Sequence, residues 1–178
     1  MIAFEEKSYP VFDLFHNQWG LVTAGNPERF NGCTVSWGSL ETLWERPGHE
    51  GHIVTVYLHP ARYTCEFMKN SDLFTLCFFP KEQKKALAYL GSHSGRDGDK
   101  IEASGLTPVP MGDCVGYREA KLSFLCRKLY QHEFSKEDLA EEISKSYMGR
   151  PSAFPPDDKG DWHPHCVFVG EILEVEEK

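Results

Sequence analysis

Six stretches of strand length are rich in β-branched and aromatic residues: 21–24, 34–37, 53–58, 73–79, 122–130 and 166–175. Alternation of apolar and polar positions is clearest in Lys121-Leu122-Ser123-Phe124-Leu125-Cys126-Arg127-Lys128-Leu129-Tyr130 and in the last stretch, which predicts strands with one buried face. Four shorter stretches carry helical signals. Thr64 is a candidate cap for a helix over 64–70, with Pro60 fixing the approach. Residues 82–90 place Ala86, Leu87 and Leu90 on one face, with Gly91 as a stop. A third helix is predicted over 97–104, ending at Gly105, and a fourth over 136–145, with Ser135 as cap and Leu139 and Ile143 on one side. Residues 148–160, with three prolines beyond Arg150 and two adjacent aspartates, read as a loop. Strands interrupted by small helices predict a mostly β protein, a β-barrel with helical insertions. A doubly wound sheet would need regular strand-helix alternation.

Composition sharpens this picture. The chain has 178 residues, enough for one well-buried core, and a single domain over residues 1–178 is expected. With 40% hydrophobic and 13% aromatic residues it has the make-up of a globular chain. A formal charge of −8 argues against a broad nucleic-acid footprint, because phosphate recognition needs a positive face. No run approaches ~18 uninterrupted apolar residues, and the start Met1-Ile2-Ala3-Phe4-Glu5-Glu6 lacks the basic and apolar regions of an export signal. The expectation is a cytoplasmic protein without a membrane partner. Six cysteines, with no Cys-x-x-Cys pair, read as reduced, buried thiols.

Three segments carry candidate chemistry. Around His93-Ser94-Gly95-Arg96-Asp97-Gly98-Asp99-Lys100, small residues let backbone amides turn toward an anion, while Ser94, Arg96 and Lys100 add hydroxyl and charge. The same residues also suit a solvated Gly-Ser loop. His59-Pro60-Ala61-Arg62-Tyr63-Thr64 follows a buried strand and opens a helix, so its amides, the Thr64 hydroxyl and Arg62 can converge on an anion. An ordinary strand-to-helix turn with an exposed Arg would look alike. Asn31-Gly32-Cys33-Thr34-Val35-Ser36-Trp37-Gly38 joins a predicted turn at Asn31-Gly32 to a strand, mixing hydroxyls with a flat apolar side chain. That mixture suits a ring-shaped cofactor or, equally, a hairpin strand with a core Trp.

The order and spacing of the three segments resemble the flavin reductase-like, FMN-binding split-barrel family. Gly105-Leu106-Thr107-Pro108 and Cys126-Arg127-Lys128-Leu129-Tyr130-Gln131 extend that similarity from about Asn17 nearly to the C-terminus. The resemblance implies a split β-barrel that forms a homodimer, with FMN near the subunit interface. It places Thr34, Val35, Ser36 and Trp37 near the flavin ring or its linker. It sets His59, Arg62, Tyr63 and Thr64 on one side of the phosphate, with Ser94, Gly95, Arg96, Asp97 and Lys100 on the other. Two departures stand out. Relatives commonly carry Arg where this chain has His59, so one phosphate charge is missing or depends on a protonated imidazole. Cys33 stands where Met is frequent.

The implied activity is that of an FMN-dependent oxidoreductase of the flavin reductase type, drawing electrons from NADH, NADPH or a redox protein partner. The rival is a non-catalytic FMN-binding electron carrier or flavin store. Gly-x-Gly-x-x-Gly is absent, so a nicotinamide nucleotide would dock transiently against the flavin. No side chain is assigned as acid or base, because the cofactor performs the redox step. No metal is expected: His163-Pro164-His165-Cys166, with His49 and His52, has ligand types but no paired spacing. His163 or Trp162 is a candidate for the substrate side of the pocket.

Overall fold

The computed structural model describes residues 4–178, apart from the Glu5 side chain; part of the N-terminal stretch read for an export signal, residues 1–3, lies outside the described residues. Among the described residues, nine strands and four α-helices follow in chain order: β1 (Gly20–Asn26), β2 (Arg29–Val35), β3 (Gly38–Thr42), β4 (His52–Leu58), α1 (Tyr63–Asn70), β5 (Leu73–Phe78), α2 (Lys84–Ser92), α3 (Lys100–Ser104), β6 (Pro108–Met111), β7 (Cys114–Tyr117), β8 (Leu122–Glu133), α4 (Glu141–Met148) and β9 (Cys166–Glu177).

Seven strands form one antiparallel sheet in the order β2-β1-β5-β8-β9-β4-β3. The two edge strands, β2 and β3, are consecutive in the chain and joined only by Ser36 and Trp37. A sheet whose opposite edges are tethered by two residues must roll up on itself. The edges are not hydrogen-bonded to each other, and the barrel is therefore split at Ser36-Trp37. β6 and β7 pair as a separate hairpin, tied on by Thr75 Oγ1 donating to Val115 O and by a 3.0 Å bond between Thr23 Oγ1 and Tyr117 OH.

Successive residues of β1 and β5 serve two cores. Val22, Val54, Phe74, Leu76, Phe78, Phe124 and Phe168 fill the barrel, whereas Leu21, Cys77, Leu87, Leu90, Ile101 and Tyr117 form a second cluster beneath α2 and α3. Both faces of these strands are thus covered, which is why they show continuous apolar runs; β8, read as a strand with one buried face, is likewise buried on both faces over residues 122–126 and opens to solvent only from Arg127. Each buried Phe contributes about 1.5–3 kcal/mol relative to exposure. All six cysteines are free and buried, as expected.

Several local expectations change. Asn31-Gly32 is no turn; both residues lie inside β2, and the hairpin turns at Pro27-Glu28, where Asn26 Oδ1 accepts from the Glu28 and Arg29 amides. The strand predicted over 34–37 therefore starts earlier and ends at Val35. Arg62, not Thr64, occupies the N-cap position of α1, and its side chain makes no capping bond. Gly91 lies within α2, where a Cβ would meet Thr34 at 3.3 Å; it is a close-approach residue and not a stop. Asp99 caps α3 by accepting from the Ile101 and Glu102 amides, and Gly105, at φ 76°, ends it. The helix predicted over 136–145 is a 3-10 turn followed by α4, whose buried residue is Tyr147 and whose Ile143 is exposed. Three strands are additions: β3 is polar, and β6 and β7 carry Pro or Gly.

Candidate functional site

The split in the barrel opens a cavity of about 230 Å³ lined by Cys33, Thr34, Val35, Ser36 and Trp37, by Tyr57, Leu58, His59 and Arg62, and by Ala153, Phe154 and His165. Residues 33–37 reach it because β2 ends there, leaving Ser36 and Trp37 exposed and free of the ladder. The Thr34 hydroxyl is directed elsewhere, donating to Leu87 O at 2.6 Å and fastening α2 behind the strand.

The corner where β4 gives way to α1 meets the loop after α2. Arg62 Nη1 donates to Gly91 O at 2.9 Å, while Arg96 Nη1 reaches back to Ala61 O at 3.2 Å. Each guanidinium thus clasps the other's segment. Arg96 also pairs with Glu66 and lies over the Tyr63 ring at 4.7 Å. The link beneath them is Asn31: Thr64 Oγ1 donates to Asn31 Oδ1 at 2.7 Å, and a Cβ on Gly95 would fall 2.0 Å from Asn31 Nδ2. Only a residue without a side chain lets the 92–97 loop sit so low. No side chain caps α1, so its first amides are directed to this corner between two guanidiniums.

Three predicted phosphate ligands face elsewhere. Lys100 is buried and donates to Leu90 O and His93 O, holding the C-terminal carbonyls of α2; burial lowers its pKa. Thr64 is fully buried, its hydroxyl given to Asn31. His59 is buried too. Its Nδ1 accepts from the Ala61 amide and its Nε2 bonds to His163 O at 3.1 Å, an arrangement that requires the neutral tautomer protonated on Nε2. Burial pushes its pKa down, so it does not replace a missing arginine charge. Asp97 is exposed, its amide closing a turn on Ser94 O, and the Ser94 hydroxyl accepts from the Arg96 amide.

The lining residues that sequence reasoning missed are Tyr57 and Leu58 at the end of β4, and Ala153, Phe154 and His165 from the segment between α4 and β9. Phe154 stacks on His59 with centroids 5.6 Å apart and packs on Tyr147 at 4.8 Å. His165 lies 4.5 Å from the Trp37 ring. Tyr147 OH accepts from the His165 amide at 3.3 Å and donates to its Nδ1 at 2.6 Å, leaving the proton on Nε2. Burial, with His59 and Arg62 nearby, pushes the His165 pKa down to about 3. Trp162, a candidate lining residue, instead stacks on Tyr147 at 5.7 Å, and His163 belongs to a neighbouring cavity of about 580 Å³ that also holds Arg96. The one available signal was the density of aromatic and His residues in 147–165. Among the described residues no group of three or more His, Cys, Asp or Glu could hold a metal ion, and no helix is long and apolar enough to cross a membrane.

The result is a slot with flat apolar walls and a polar strand edge, next to a cationic corner with free helix amides. Those features suit a planar conjugated ring carrying an anionic tail. Solved structures share the architecture. An FMN-binding protein from Thermus thermophilus with bound p-hydroxybenzaldehyde aligns over 100% of this chain and 82% of its own, at 21% identity and TM-score 0.66. Flavoredoxin from Methanosarcina acetivorans aligns over 100% and 74%, at 18% identity and TM-score 0.65. A Streptomyces globisporus NADH:FAD oxidoreductase in complex with NAD and FAD fragments aligns over 90% and 74%, at 13% identity and TM-score 0.63. No curated protein matches the chain. The model of the flavin reductase like domain matches residues 12–178, taking in the whole barrel and all three segments, and the chain belongs to that family.

Proposed function

We propose that this chain binds FMN at the barrel split and works as a flavin-dependent oxidoreductase, passing electrons from NADH, NADPH or a redox protein partner to an acceptor. The observation that carries this reading is the uncapped start of α1, set between Arg62 and Arg96 at the end of the slot formed by residues 33–37. Arg62, Arg96, the Ser94-Gly95 loop and the Tyr63 and Thr64 amides would hold the phosphate. Backbone groups of Thr34, Val35 and Ser36 would meet the polar edge of the ring, and Trp37 its surroundings. When bound, FMN supplies reversible acceptance of a hydride or of single electrons. The chain's own residues bind, orient and shield it. Neutral His59 and His165 and the Phe154 ring remove water from one side of the slot.

A nicotinamide donor is supported by the name of the Streptomyces relative and by family membership; it would dock transiently, since the dinucleotide-binding glycine motif is absent. A homodimer is supported by a row of aromatic residues beside the slot. Trp37, Phe134, Tyr130 and Trp44 are each 40–48% exposed, with Tyr57 stacked on Phe134 and Trp44 edge-on to Tyr130. Six free thiols support a reducing, cytoplasmic location.

The test is spectroscopic. The purified protein should take up FMN and turn yellow, and NADH or NADPH should bleach it without a lag. Bleaching only by a ferredoxin-like donor assigns the carrier reading. Equal affinity for FMN and riboflavin removes the phosphate corner from the argument.

A further inference from the structure

The segment from residue 149 to 162 lies across the slot, with Ala153 and Phe154 among the lining residues. At its far end Trp162 stacks on Tyr147 at 5.7 Å with Lys136 Nζ 4.8 Å over its ring, and the next residue, His163, supplies the bridge to β8. His163 Nδ1 lies 2.8 Å from Glu133 Oε1 on β8, and its Nε2 lies 3.3 Å from Asp157 Oδ2 in the segment itself. Ionised carboxylates only accept hydrogen bonds, so both ring nitrogens carry protons and the bridging form is the imidazolium. Asp157 in turn organises the tip, accepting from the Lys159 and Asp161 amides at 2.9 Å. The same histidine reaches the slot, because its carbonyl accepts from His59 Nε2 and the His59 ring stacks on Phe154.

We infer that residues 149–162 form a lid over the flavin slot, and that the doubly bridged His163 is a proton-dependent latch that holds it shut and releases it as pH rises.

The charges around the latch support that direction. Glu133 faces it from β8 and Asp157 from the lid, both favouring the cation; Lys136, from the 3-10 turn after β8, opposes it. His59, from the end of β4, is neutral. Across the neighbouring cavity stand Lys69 and Arg96, with Asp158 beside the lid. The bond to Glu133 leads in raising the His163 pKa above its usual value of 6.5. A raised folded-state pKa means that the latch is fully made below about 6.5 and is lost as pH climbs through the higher folded value. The partners are about one-third exposed, so the effect is modest and suits a gate more than a clamp.

The inference rests on the flavin reading only for what lies beneath the lid, so the main readout needs no cofactor. Hydrogen-deuterium exchange of the full chain, expressed as protection factors to remove intrinsic base catalysis, is compared at about pH 6 and about pH 9. Amides at Phe154, Asp157 and Gly160, which donate to Arg150 O, Asp161 O and Asp157 O, report the lid. In the unaltered protein their protection should fall about fivefold at the higher pH, the discounted worth of two partly exposed charge-assisted bonds. His163→Gln should be low at both values, and His163→Arg, permanently charged, high at both. Should His163→Gln fail to fold, Asp157→Asn should flatten the profile in the same way. Protection independent of pH in the unaltered protein, or a His163→Arg variant that still opens at high pH, overturns the latch.

Stopped-flow FMN association separates the two readings. It should quicken at high pH in the unaltered protein and not in His163→Arg, whose comparison at matched pH cancels the titration of the FMN phosphate. Failure to bind FMN beside a pH-dependent lid refutes the flavin reading and leaves the latch standing. FMN binding beside a pH-independent lid does the opposite.

Discussion

Replacing Gly95 with Ala is the sharpest test of how the anion corner is built. The backbone there needs no positive φ, so the substitution acts through space alone. The new methyl would sit 2.0 Å from Asn31 Nδ2, 3.0 Å from Asn31 Cγ and 3.1 Å from Tyr63 Cδ1. Asn31 cannot yield freely, because it is buried and accepts the hydroxyl of the fully buried Thr64. Either the 92–97 loop lifts off, carrying Arg96 with it, or Asn31 turns and the buried bond is lost. Overpacking costs about 1–3 kcal/mol and a buried hydrogen bond about 1 kcal/mol, so about 2–3 kcal/mol is expected for whichever mixture the protein adopts. For a chain of this size that lowers Tm by about 4–12 °C. Differential scanning calorimetry reads the shift, and fluorescence titration with FMN should show affinity reduced about tenfold or more if Arg96 moves with its loop. Asn31→Ser in the Gly95→Ala background removes Nδ2, the obstructing atom at 2.0 Å, and should recover part of both losses. Gly95→Ala with unchanged Tm and unchanged FMN affinity would refute this account of the corner.

Three further outcomes follow from the geometry. Arg62→Ala and Arg96→Ala should each weaken FMN about tenfold while leaving riboflavin nearly unaffected, as exposed charge-assisted contacts to a phosphate would, whereas Lys100→Met should lower Tm through loss of its bonds to α2 and leave the FMN-to-riboflavin ratio alone; isothermal titration with both ligands distinguishes them. Acid stability should fall as pH drops from about 6.5 toward about 3, because His165 has a depressed folded-state pKa and the unfolded chain takes up the proton first. The full effect is on the order of 5 kcal/mol, and His165→Asn, which cannot titrate, should flatten the urea-unfolding profile over that range. Glu171 is buried and, although burial pushes its pKa up, bonds from Arg127, His49 and Arg46 hold it below the usual carboxylate range; Glu171→Ala should leave the Arg127 and Arg46 guanidiniums facing each other without their shared acceptor, cost about 2–4 kcal/mol and expose the loop between β3 and β4 to proteolysis.

What the sequence determined by itself was local. Apolar runs of strand length mark β1, β4, β5, β8 and β9 because side-chain burial imprints its period on contiguous residues. The three polar segments were equally visible, since small residues, hydroxyls and arginines at a strand-helix junction carry their chemistry in a few adjacent positions. β3, β6 and β7 were not, because Pro, Gly and polar residues mask strands whose pairing is supplied by partners elsewhere. Only the tertiary structure decided which way each candidate side chain turns. His59, Thr64 and Lys100 have the composition of phosphate ligands, yet each satisfies a buried acceptor or donor that the protein itself presents, at His163, Asn31 and Leu90. The slot also gains Phe154 and His165 from a segment more than 90 residues beyond His59. A long-range contact leaves no period in the local sequence. The direction of a side chain is set by the cost of leaving a buried polar group unpaired, and the chain must fold before that cost exists.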